Sequence, residues 1–256
     1  MPGPALFDLA GKVAVVTGGG RGIGYGIAEG LARSGARVVL SGRTQTTLDE
    51  AAGRLREQGL DAAALTSDVS REEDVVVLRD SVASLFGTVD ILVNNAGVNP
   101  IYRGIEKTSL ADWTNIVGTN LTGVFLCCKY LGGLMAERGT GSVINISSVA
   151  GHVGLKRSVP YCAAKGGVEL LTKALAIDWA EKGVRVNCIA PGFFETDLTA
   201  GMRKNTGMSS ALLDRTPLGR FGGMNDIAGV AVFLASEAAA YVTGQSLLVD
   251  GGWCAE

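Results

Sequence analysis

Short apolar runs rich in valine and isoleucine alternate along the chain with longer segments of helical period. This alternation is typical of a parallel sheet covered by helices on both faces, because strands buried on both sides need no polar positions. We expect strands at residues 13–16, 37–40, 63–66, 91–93, 142–146, 185–189 and 246–249. We expect helices at about residues 22–34, 46–58, 71–86, 110–138, 160–182 and 225–235. Right-handed crossovers then predict an α/β Rossmann fold with one doubly wound, seven-stranded parallel sheet.

The length and composition indicate that the chain can bury a full core, and its balanced charge favours a small-molecule partner. With 256 residues and 47% hydrophobic content, residues 1–256 are expected to form one domain. The 23 basic and 25 acidic residues nearly balance, at a net charge of −2. Neither a nucleic-acid surface nor an acidic tail is indicated, so we expect a small-molecule partner and no nucleic acid.

Cysteine usage and the opening segment favour a reduced, soluble protein. The five cysteines are scattered without a CxxC pair and the chain has one histidine, so neither a disulfide framework nor a metal site is expected. The segment MPGPALFDLAGK lacks a basic region followed by an apolar core, and no apolar run reaches the length of a membrane span. We therefore expect a cytoplasmic protein that does not associate with membranes.

The segment TGGGRGIG, residues 17–24, follows the first predicted strand and leads into the first predicted helix. Glycines let the backbone turn tightly and approach a pyrophosphate, while N–H groups at the start of the helix face the anion. The strand–loop–helix context favours dinucleotide binding over a merely tight turn. The predicted contacts in this loop are Gly18, Arg21, Gly22, Ile23 and Gly24.

The end of the second predicted strand bears on which dinucleotide is bound. An NAD site usually has Asp or Glu near this point for the ribose hydroxyls, but the chain has Ser41, Gly42 and Arg43. Together with Arg21, Arg43 could hold a 2′-phosphate through charge-assisted hydrogen bonds. We therefore expect NADP(H) rather than NAD(H), and the alternative is that Arg43 is only a solvated residue at a helix start.

Two polar segments follow the third and fourth predicted strands, at the edge where open α/β sheets bind ligands. Asp68 and Val69 are candidates for the adenine, with a cap on the next helix as the alternative role of Asp68. The segment NNAG, residues 94–97, suits a sharp turn that either touches the cofactor's ribose or stabilises the sheet. The predicted cofactor contacts in this turn are Asn95, Ala96 and Gly97.

A polar amide interrupts the long apolar helical segment 110–138. Asn120, in GTNLTG, is expected to be buried and therefore to need hydrogen-bond partners. It could bend the helix and use the freed backbone groups to hold a water, or it could simply bond a neighbouring carbonyl. The residue pattern leaves both roles open.

Tyr161 and Lys165 lie one helical turn apart in the segment YCAAK, so both side chains project from one face of a helix. An ammonium held close to a phenol favours the phenolate, which would let the pair exchange protons near neutral pH. Ser148, in the loop after the fifth predicted strand, could hydrogen-bond the oxygen that gains or loses the proton. The alternative is a solvated helix face without chemistry.

Taken together and in order, these motifs resemble the short-chain dehydrogenase/reductase family. The resemblance rests on TGGGRGIG, NNAG, TNLTG, NISS, YCAAK, APGFFETD and YVTGQSLLVDGGW, and it covers essentially the whole chain. It implies that Tyr161 is the catalytic acid/base and that Lys165 lowers its pKa and binds the nicotinamide ribose. It also implies that Ser148, rather than the adjacent Ser147, holds the substrate oxygen and that Asn120 anchors a water in a proton relay. The implied contacts with the nicotinamide half and the cofactor cleft are Pro191, Gly192, Thr196, Asn94 and Gly97.

The resemblance implies an NADP(H)-dependent oxidoreductase that interconverts a ketone and a secondary alcohol by hydride transfer, assembled as a homotetramer. Within the family, the chain is most similar to 3-oxoacyl-carrier-protein reductases and to gluconate 5-dehydrogenase-like enzymes, and PGFFETDLT resembles the former. The alternative from another class is a non-catalytic protein that senses the dinucleotide. Such a protein would need a defect at a catalytic position, and the sequence has none.

The substrate pocket is expected where the irregular segments after Gly97, Ser148 and Gly192 converge. The predicted lining residues are Val98, Asn99, Ile101, Val153, Leu155, Phe193, Phe194, Leu198 and Met202. Most are apolar, which suggests a ketone with substantial carbon surface, although apolar walls are usual for ligand pockets. The histidine, His152, could hydrogen-bond a substrate hydroxyl or face solvent. Three cations could meet a carboxylate or stay solvated: Arg103, Lys156 and Arg157.

Overall fold

The computed structural model describes residues 4–196 and 199–255. The strands are β1 Val13–Thr17, β2 Arg37–Gly42, β3 Ala62–Thr66, β4 Ile91–Asn94, β5 Gly141–Ile146, β6 Val184–Pro191 and β7 Ser246–Val249. The α-helices are α1 Gly22–Arg33, α2 Gln45–Glu57, α3 Glu72–Phe86, α4 Leu110–Val117, α5 Gly123–Cys127, α6 Gly133–Arg138, α7 Val159–Trp179, α8 Ala200–Lys204, α9 Thr206–Asp214 and α10 Met224–Ala235. Turns of 3-10 helix lie at Pro4–Phe7, Ile105–Lys107, Val149–Gly151, Ala180–Lys182 and Glu237–Ala239.

The strands form one seven-stranded sheet in the order β3-β2-β1-β4-β5-β6-β7. Every strand pair in it is parallel. The central strand β1, VAVVT, is buried along its whole length, as expected for a strand with helices on both sides. The predicted doubly wound α/β sheet is therefore confirmed.

The core lies in two layers, one on each face of the sheet. Alternation along β1 sends Ala14 and Val16 into one layer and Val13 and Val15 into the other. In the first layer α1 crosses α10 so closely that a Cβ on Gly30 would stand 2.8 Å from Ala228 Cβ. A Cβ on Gly26, one turn earlier, would likewise stand 2.8 Å from Met224 Cβ, so α1 packs tightly against α10 along most of its length.

The structure differs from the expected helices in two places. Segment 110–138 follows one helical path, but two π turns, at Gly118–Thr122 and Cys128–Gly132, separate α4, α5 and α6. Helices α8 and α9 were not expected, because the segment after Thr199 has few apolar residues at helical spacing. Both differences fall beside the ligand-binding edge of the sheet.

The cysteines of the core serve packing. Cys127, Cys128 and Cys188 are all 1% exposed or less. Burial raises the pKa of the Cys128 thiol to about 12, so the reactive thiolate is not formed near neutral pH. Across the described residues, no set of His, Cys, Asp or Glu side chains could hold a metal ion. In the same ranges, every helix is too short or too polar to cross a membrane.

Candidate active site

The strand order reverses between β1 and β4, and a crevice opens there beyond the carboxyl ends of the strands. A cavity of about 740 Å³ lies at this point. Apart from Asn94, the residues predicted to bind the cofactor or to carry the chemistry line it: Gly18, Arg21, Gly22, Ile23, Gly24, Arg43, Asp68, Val69, Asn95, Ala96, Gly97, Asn120, Ser148, Tyr161, Lys165, Pro191, Gly192 and Thr196. Segments that are far apart in the sequence therefore meet at one site.

The glycine loop joins β1 to α1, and close backbone contacts set its shape. Gly18 and Gly22 have φ angles of 64° and 54°, in the left-handed region that glycine tolerates best. A Cβ on Gly24 would stand 2.3 Å from Gly18 O and 2.4 Å from Asn95 Nδ2. Asn95 Nδ2 donates to Thr17 O at 2.9 Å and to Gly18 O at 3.1 Å, which ties the loop to the end of β4. The loop and the start of α1 thus form a cradle that suits a pyrophosphate.

Arg43 and Asp68 line the end of the cavity that β2 and β3 form. Partial burial pushes the pKa of the Asp68 carboxyl up, but hydrogen bonds from Ser70 and the charges of Arg43 and Arg71 outweigh this effect and lower the pKa. Asp68 Oδ1 accepts hydrogen bonds from Ser70 N at 3.0 Å and Ser70 Oγ at 2.7 Å. Asp68 therefore closes a local turn and does not cap α3, whose N-cap residue is Arg71. Arg43 is an exposed cation on the cavity wall.

The NNAG turn serves both the cavity and the core. Its last three residues line the cavity, whereas Asn94 is 2% exposed and lies elsewhere. Asn94 Nδ2 donates to Asn145 Oδ1 at 2.9 Å and to Cys128 Sγ at 3.3 Å. The structure corrects the expectation that Asn94 lines the cleft: as the last residue of β4 it points to the opposite face from its neighbour.

Asn120 lies in the first π turn, Gly118–Thr122, and is completely buried. Its Nδ2 donates to Ile116 O at 2.8 Å and to Val98 O at 2.7 Å, and its Oδ1 accepts from Val98 N at 3.2 Å. A Cβ on Gly97 would stand 2.6 Å from Asn120 Oδ1, so a larger residue at position 97 would collide with it. Asn120 both sits where the helix departs from α geometry and bonds a carbonyl of the preceding turn. Its role with a water stays a prediction.

Tyr161 and Lys165 project from the first turns of α7 into the cavity, and Ser148 reaches it from the end of β5. The Ser148 hydroxyl is placed to hydrogen-bond the Tyr161 phenol oxygen, an interaction that lowers the pKa of the phenol. Ser148 Oγ also accepts from Ala150 N at 3.1 Å, which fixes the rotamer. Lys165 is 3% exposed, its Nζ donates to Ile146 O at 2.7 Å, and Nζ lies 5.7 Å from the centroid of the Tyr161 ring. The three groups can therefore act on one oxygen atom of a ligand.

Burial favours the neutral form of both titratable groups in this set, the Tyr161 phenol and the Lys165 amine. It raises the pKa of the Tyr161 phenol, and the hydrogen bond with Ser148 opposes that rise. It lowers the pKa of Lys165 to about 8, against the opposing effects of Cys188 and Glu169. An amine with a pKa near 8 loses its charge within the range where enzymes work, so its protonation depends on its neighbours.

The substrate side of the cavity is less fully predicted than the cofactor side. Of the expected pocket residues, Val98 and Phe194 line the cavity and Leu198 lies outside the described residues. The other expected pocket residues do not border the cavity: Asn99, Ile101, Val153, Leu155, Phe193 and Met202. The predicted apolar wall is therefore only partly found at the cavity.

His152 is an exposed loop residue, as one of its two expected roles requires, and it does not border the cavity. Its Nε2 lies 3.1 Å from Ser246 Oγ and 3.1 Å from Glu169 Oε1, and its side chain is 30% exposed. The imidazole thus points toward β7 and the buried flank of α7. A loop histidine gives no signal of this direction, because only the tertiary fold brings Ser246 and Glu169 to it.

Several polar residues of the cavity escaped the sequence analysis. They are Thr44, Thr47, Ser67, Thr119 and Thr199. Thr17 was missed as well: its Oγ1 accepts from Asn95 N at 3.0 Å and Ala96 N at 3.1 Å. The available signal was position, since Thr17 ends β1, Ser67 follows β3 and Thr44 precedes α2.

Comparison with known proteins agrees with this geometry. The chain matches the family model described as enoyl-(acyl carrier protein) reductase over residues 18–254. Gluconate 5-dehydrogenase of Gluconobacter oxydans is 41% identical over 98% of this chain and 98% of its own. L-fucose dehydrogenase of Bos taurus is 44% identical over 95% of this chain and 89% of its own. The structure of a gluconate 5-dehydrogenase from Burkholderia cenocepacia in complex with NADP and tartrate has a TM-score of 0.95 at 38% identity, with 99% of each chain covered.

The chain belongs to the short-chain dehydrogenase/reductase family. It is an enzyme, an NAD(P)-dependent oxidoreductase of CH–OH groups.

Proposed function

We propose that residues 1–256 form a single domain that interconverts a ketone and a secondary alcohol of a sugar acid or sugar alcohol, with NADP(H) as cofactor. The main support for this proposal is that one cavity is lined by Tyr161, Lys165 and Ser148 together with the glycine loop. A dinucleotide sensor would need the loop but not a phenol, an ammonium and a hydroxyl gathered beside it.

The glycine loop and Lys165 would hold a nicotinamide dinucleotide, which would supply the hydride chemistry at the substrate carbon. The Tyr161 phenol gives its proton to the substrate oxygen during reduction and accepts it during oxidation. Ser148, which lies beside that phenol, holds the same oxygen, so that the charge developing there meets oriented donors. The Lys165 ammonium, fixed at Ile146 O, favours the phenolate and binds the nicotinamide ribose.

In this proposal Asn120 has a supporting part in the same proton transfer. Its three hydrogen bonds to Ile116 and Val98 hold the π turn against the segment after β4. A side chain fixed in this way can anchor a water that relays protons to Lys165.

The preference for NADP(H) is the finer part of the cofactor assignment. Arg43 on the cavity wall supports it, because a guanidinium binds a phosphate through charge-assisted, bidentate hydrogen bonds. Arg21 lines the same end of the cavity from the glycine loop. The Burkholderia cenocepacia relative, whose structure contains NADP, lends further support.

The proposed substrate class rests on the relatives and on two exposed cations in the loop before α7. Relatives named for gluconate and L-fucose favour a polyhydroxylated substrate over an acyl thioester. Lys156 and Arg157 are exposed cations in the loop that leads into α7, where they could pair with the carboxylate of a sugar acid. The Arg157 guanidinium lies 5.6 Å from the centroid of the Tyr102 ring, which links the loop before α7 to the segment after β4.

A spectrophotometric assay of reduced nicotinamide tests this function. We expect turnover of 5-ketogluconate with NADPH, with kcat/KM at least about tenfold above that for an acetoacetyl thioester or an aryl ketone. The reason is that a site built to bond substrate hydroxyls leaves those groups unpaired with the other carbonyl compounds. A higher kcat/KM for the thioester would favour carrier-protein reduction, and NADPH binding without turnover of any carbonyl would favour a sensor.

We also propose a homotetramer. Helices α5 and α7 expose large apolar side chains, with Phe125 49%, Leu170 69% and Ile177 78% exposed. An apolar helix face of this kind is typical of an interface between subunits. Light scattering is expected to give about four times the chain mass of 26.4 kDa. Leu170→Arg is expected to reduce that mass, and a monomeric wild type would contradict the assembly. The cytoplasmic location stays a prediction.

A further inference from the structure

A buried carboxylate lies close to the catalytic set, and the proposed mechanism does not use it. Glu169 follows Lys165 by one turn of α7 and is 7% exposed. An ionised carboxylate withdrawn from water is costly unless it is paired and hydrogen-bonded. Its partners therefore indicate what it does in the folded chain.

Glu169 is held from two neighbouring elements. His152 Nε2, beside the turn Val149–Gly151, lies 3.1 Å from Glu169 Oε1. The thiol of Cys188 on β6 donates to the same oxygen at 3.5 Å. His152 is itself held 3.1 Å from Ser246 Oγ at the start of β7. The carboxylate is thus fixed between α7, β6 and the turn that follows Ser148.

The packing of that turn leaves little freedom around Lys165 and Glu169. A Cβ on Gly151 would stand 3.0 Å from Lys165 O and 3.1 Å from Glu169 Cγ. Ser147 Oγ donates to Lys165 O at 3.3 Å. The backbone on both sides of Ser148 therefore packs against the turn of α7 between Lys165 and Glu169. A substitution at Glu169 would change the packing beside Ser148 and Lys165.

The groups that face Lys165 come from each element packed against it. Tyr161 and Glu169 are on its own helix, Cys188 is on β6, and His152 reaches it through Glu169. Nζ itself donates to a neutral backbone carbonyl. Burial raises the pKa of the Cys188 thiol to about 12, so this thiol is neutral near pH 7, and Glu169 is the carboxyl group among these neighbours.

We propose that Glu169 is a positioning residue for the reaction: its carboxylate, held by His152 and Cys188, keeps Lys165 charged beside Tyr161. The proposal rests on the proposed function, in which the Lys165 ammonium favours the phenolate. Burial lowers the pKa of Lys165 to about 8, and Cys188 and Glu169 both oppose this effect, so removal of the glutamate charge is expected to lower that pKa further. The ammonium is then lost at a lower pH, and activity that needs it falls from the alkaline side.

The test is the pH dependence of kcat for Glu169→Gln, which removes the charge and keeps the shape. We expect nearly normal kcat at about pH 6, an alkaline limb moved down by about one unit, and an approximately tenfold loss at about pH 8.5. Glu169→Asp keeps the charge and is expected to retain most of the wild-type limb. Glu181→Gln, an exposed site just past α7, is the matched control and should change nothing.

The outcomes separate positioning from a merely structural role. If kcat of Glu169→Gln falls by the same factor at every pH, and the alkaline limb of its pH profile stays where it is in wild type, the proposal is overturned. If Glu169→Gln does not fold, Glu169→Leu replaces it, because an apolar residue removes the charge without leaving an unpaired polar group. An unmoved limb in that variant overturns the proposal equally.

A second readout keeps this proposal separate from the proposed function. NADPH affinity, measured by fluorescence, does not need turnover and depends on Lys165 at the nicotinamide ribose. We expect Glu169→Gln to match wild type at about pH 6 and to bind several-fold more weakly at about pH 8.5. If no carbonyl compound is turned over, the proposed function fails, and the NADPH affinity of Glu169→Gln relative to wild type becomes the test of the Glu169 proposal. If the two enzymes then bind NADPH equally at both pH values, the Glu169 proposal is overturned.

Discussion

Tyr161→Phe is expected to lower kcat by about 10²- to 10⁴-fold, the usual contribution of a positioned acid or base. The phenol is the proton donor in the proposed mechanism, and its ring alone keeps the packing against Lys165. Because the change removes one oxygen from a cavity of about 740 Å³, the dissociation constant for NADPH should stay within about twofold. Initial rates and a fluorescence titration measure the two quantities.

Tyr241→Phe is the control for this experiment, because Tyr241 is fully exposed in the chain as described and far from the cavity lining. It should leave both kcat and the NADPH affinity unchanged. A Tyr161→Phe enzyme with near-normal kcat would remove the phenol from the chemistry, whatever the cofactor affinity.

Arg43→Ala is expected to reduce kcat/KM with NADPH about 10- to 100-fold and to leave kcat/KM with NADH almost unchanged. A hydrogen bond to a charged group contributes about 1.5–3 kcal/mol, and this range corresponds to that loss. NADH lacks the 2′-phosphate, so removal of the Arg43 guanidinium does not remove an interaction with NADH. The measurement is kcat/KM for each cofactor with one substrate.

Arg71→Ala is the matched control for the cofactor experiment. Arg71, like Arg43, lowers the pKa of Asp68, but it does not border the cavity and pairs with Asp74 at 3.5 Å. A loss specific to NADPH in Arg43→Ala but not in Arg71→Ala would assign the effect to contact with the phosphate. Equal losses with both cofactors would contradict the assignment.

The sequence alone predicts the sheet because each strand is a short apolar run between helical segments. Once the strands are placed in parallel, the residues after each strand must lie at one edge. For this reason Gly18, Arg43, Asp68 and Ser148, which follow four different strands, could be assigned to a common site without knowledge of their distances.

Other features depend on tertiary contacts and therefore cannot be predicted from the sequence alone. The neighbours Asn94 and Asn95 are chemically identical, and only the end of β4 decides that one enters the core and the other the cavity. The π turn around Asn120 is similarly hidden, because one extra residue in a helical turn leaves the apolar pattern nearly unchanged. Helix α9 is capped by the Asn205 side chain, which accepts from Met208 N at 3.1 Å, and carries little apolar period.

The position of His152 has a practical consequence for spectroscopy. The chain contains one histidine, so a nuclear magnetic resonance spectrum of imidazole nitrogens from the labelled enzyme contains the signals of a single ring. That ring lies 3.1 Å from Glu169 and reaches the surface on its other side. The chain therefore carries a spectroscopic reporter on the far side of Glu169 from the active site, which can be followed during cofactor titration without an engineered residue beside the reacting groups.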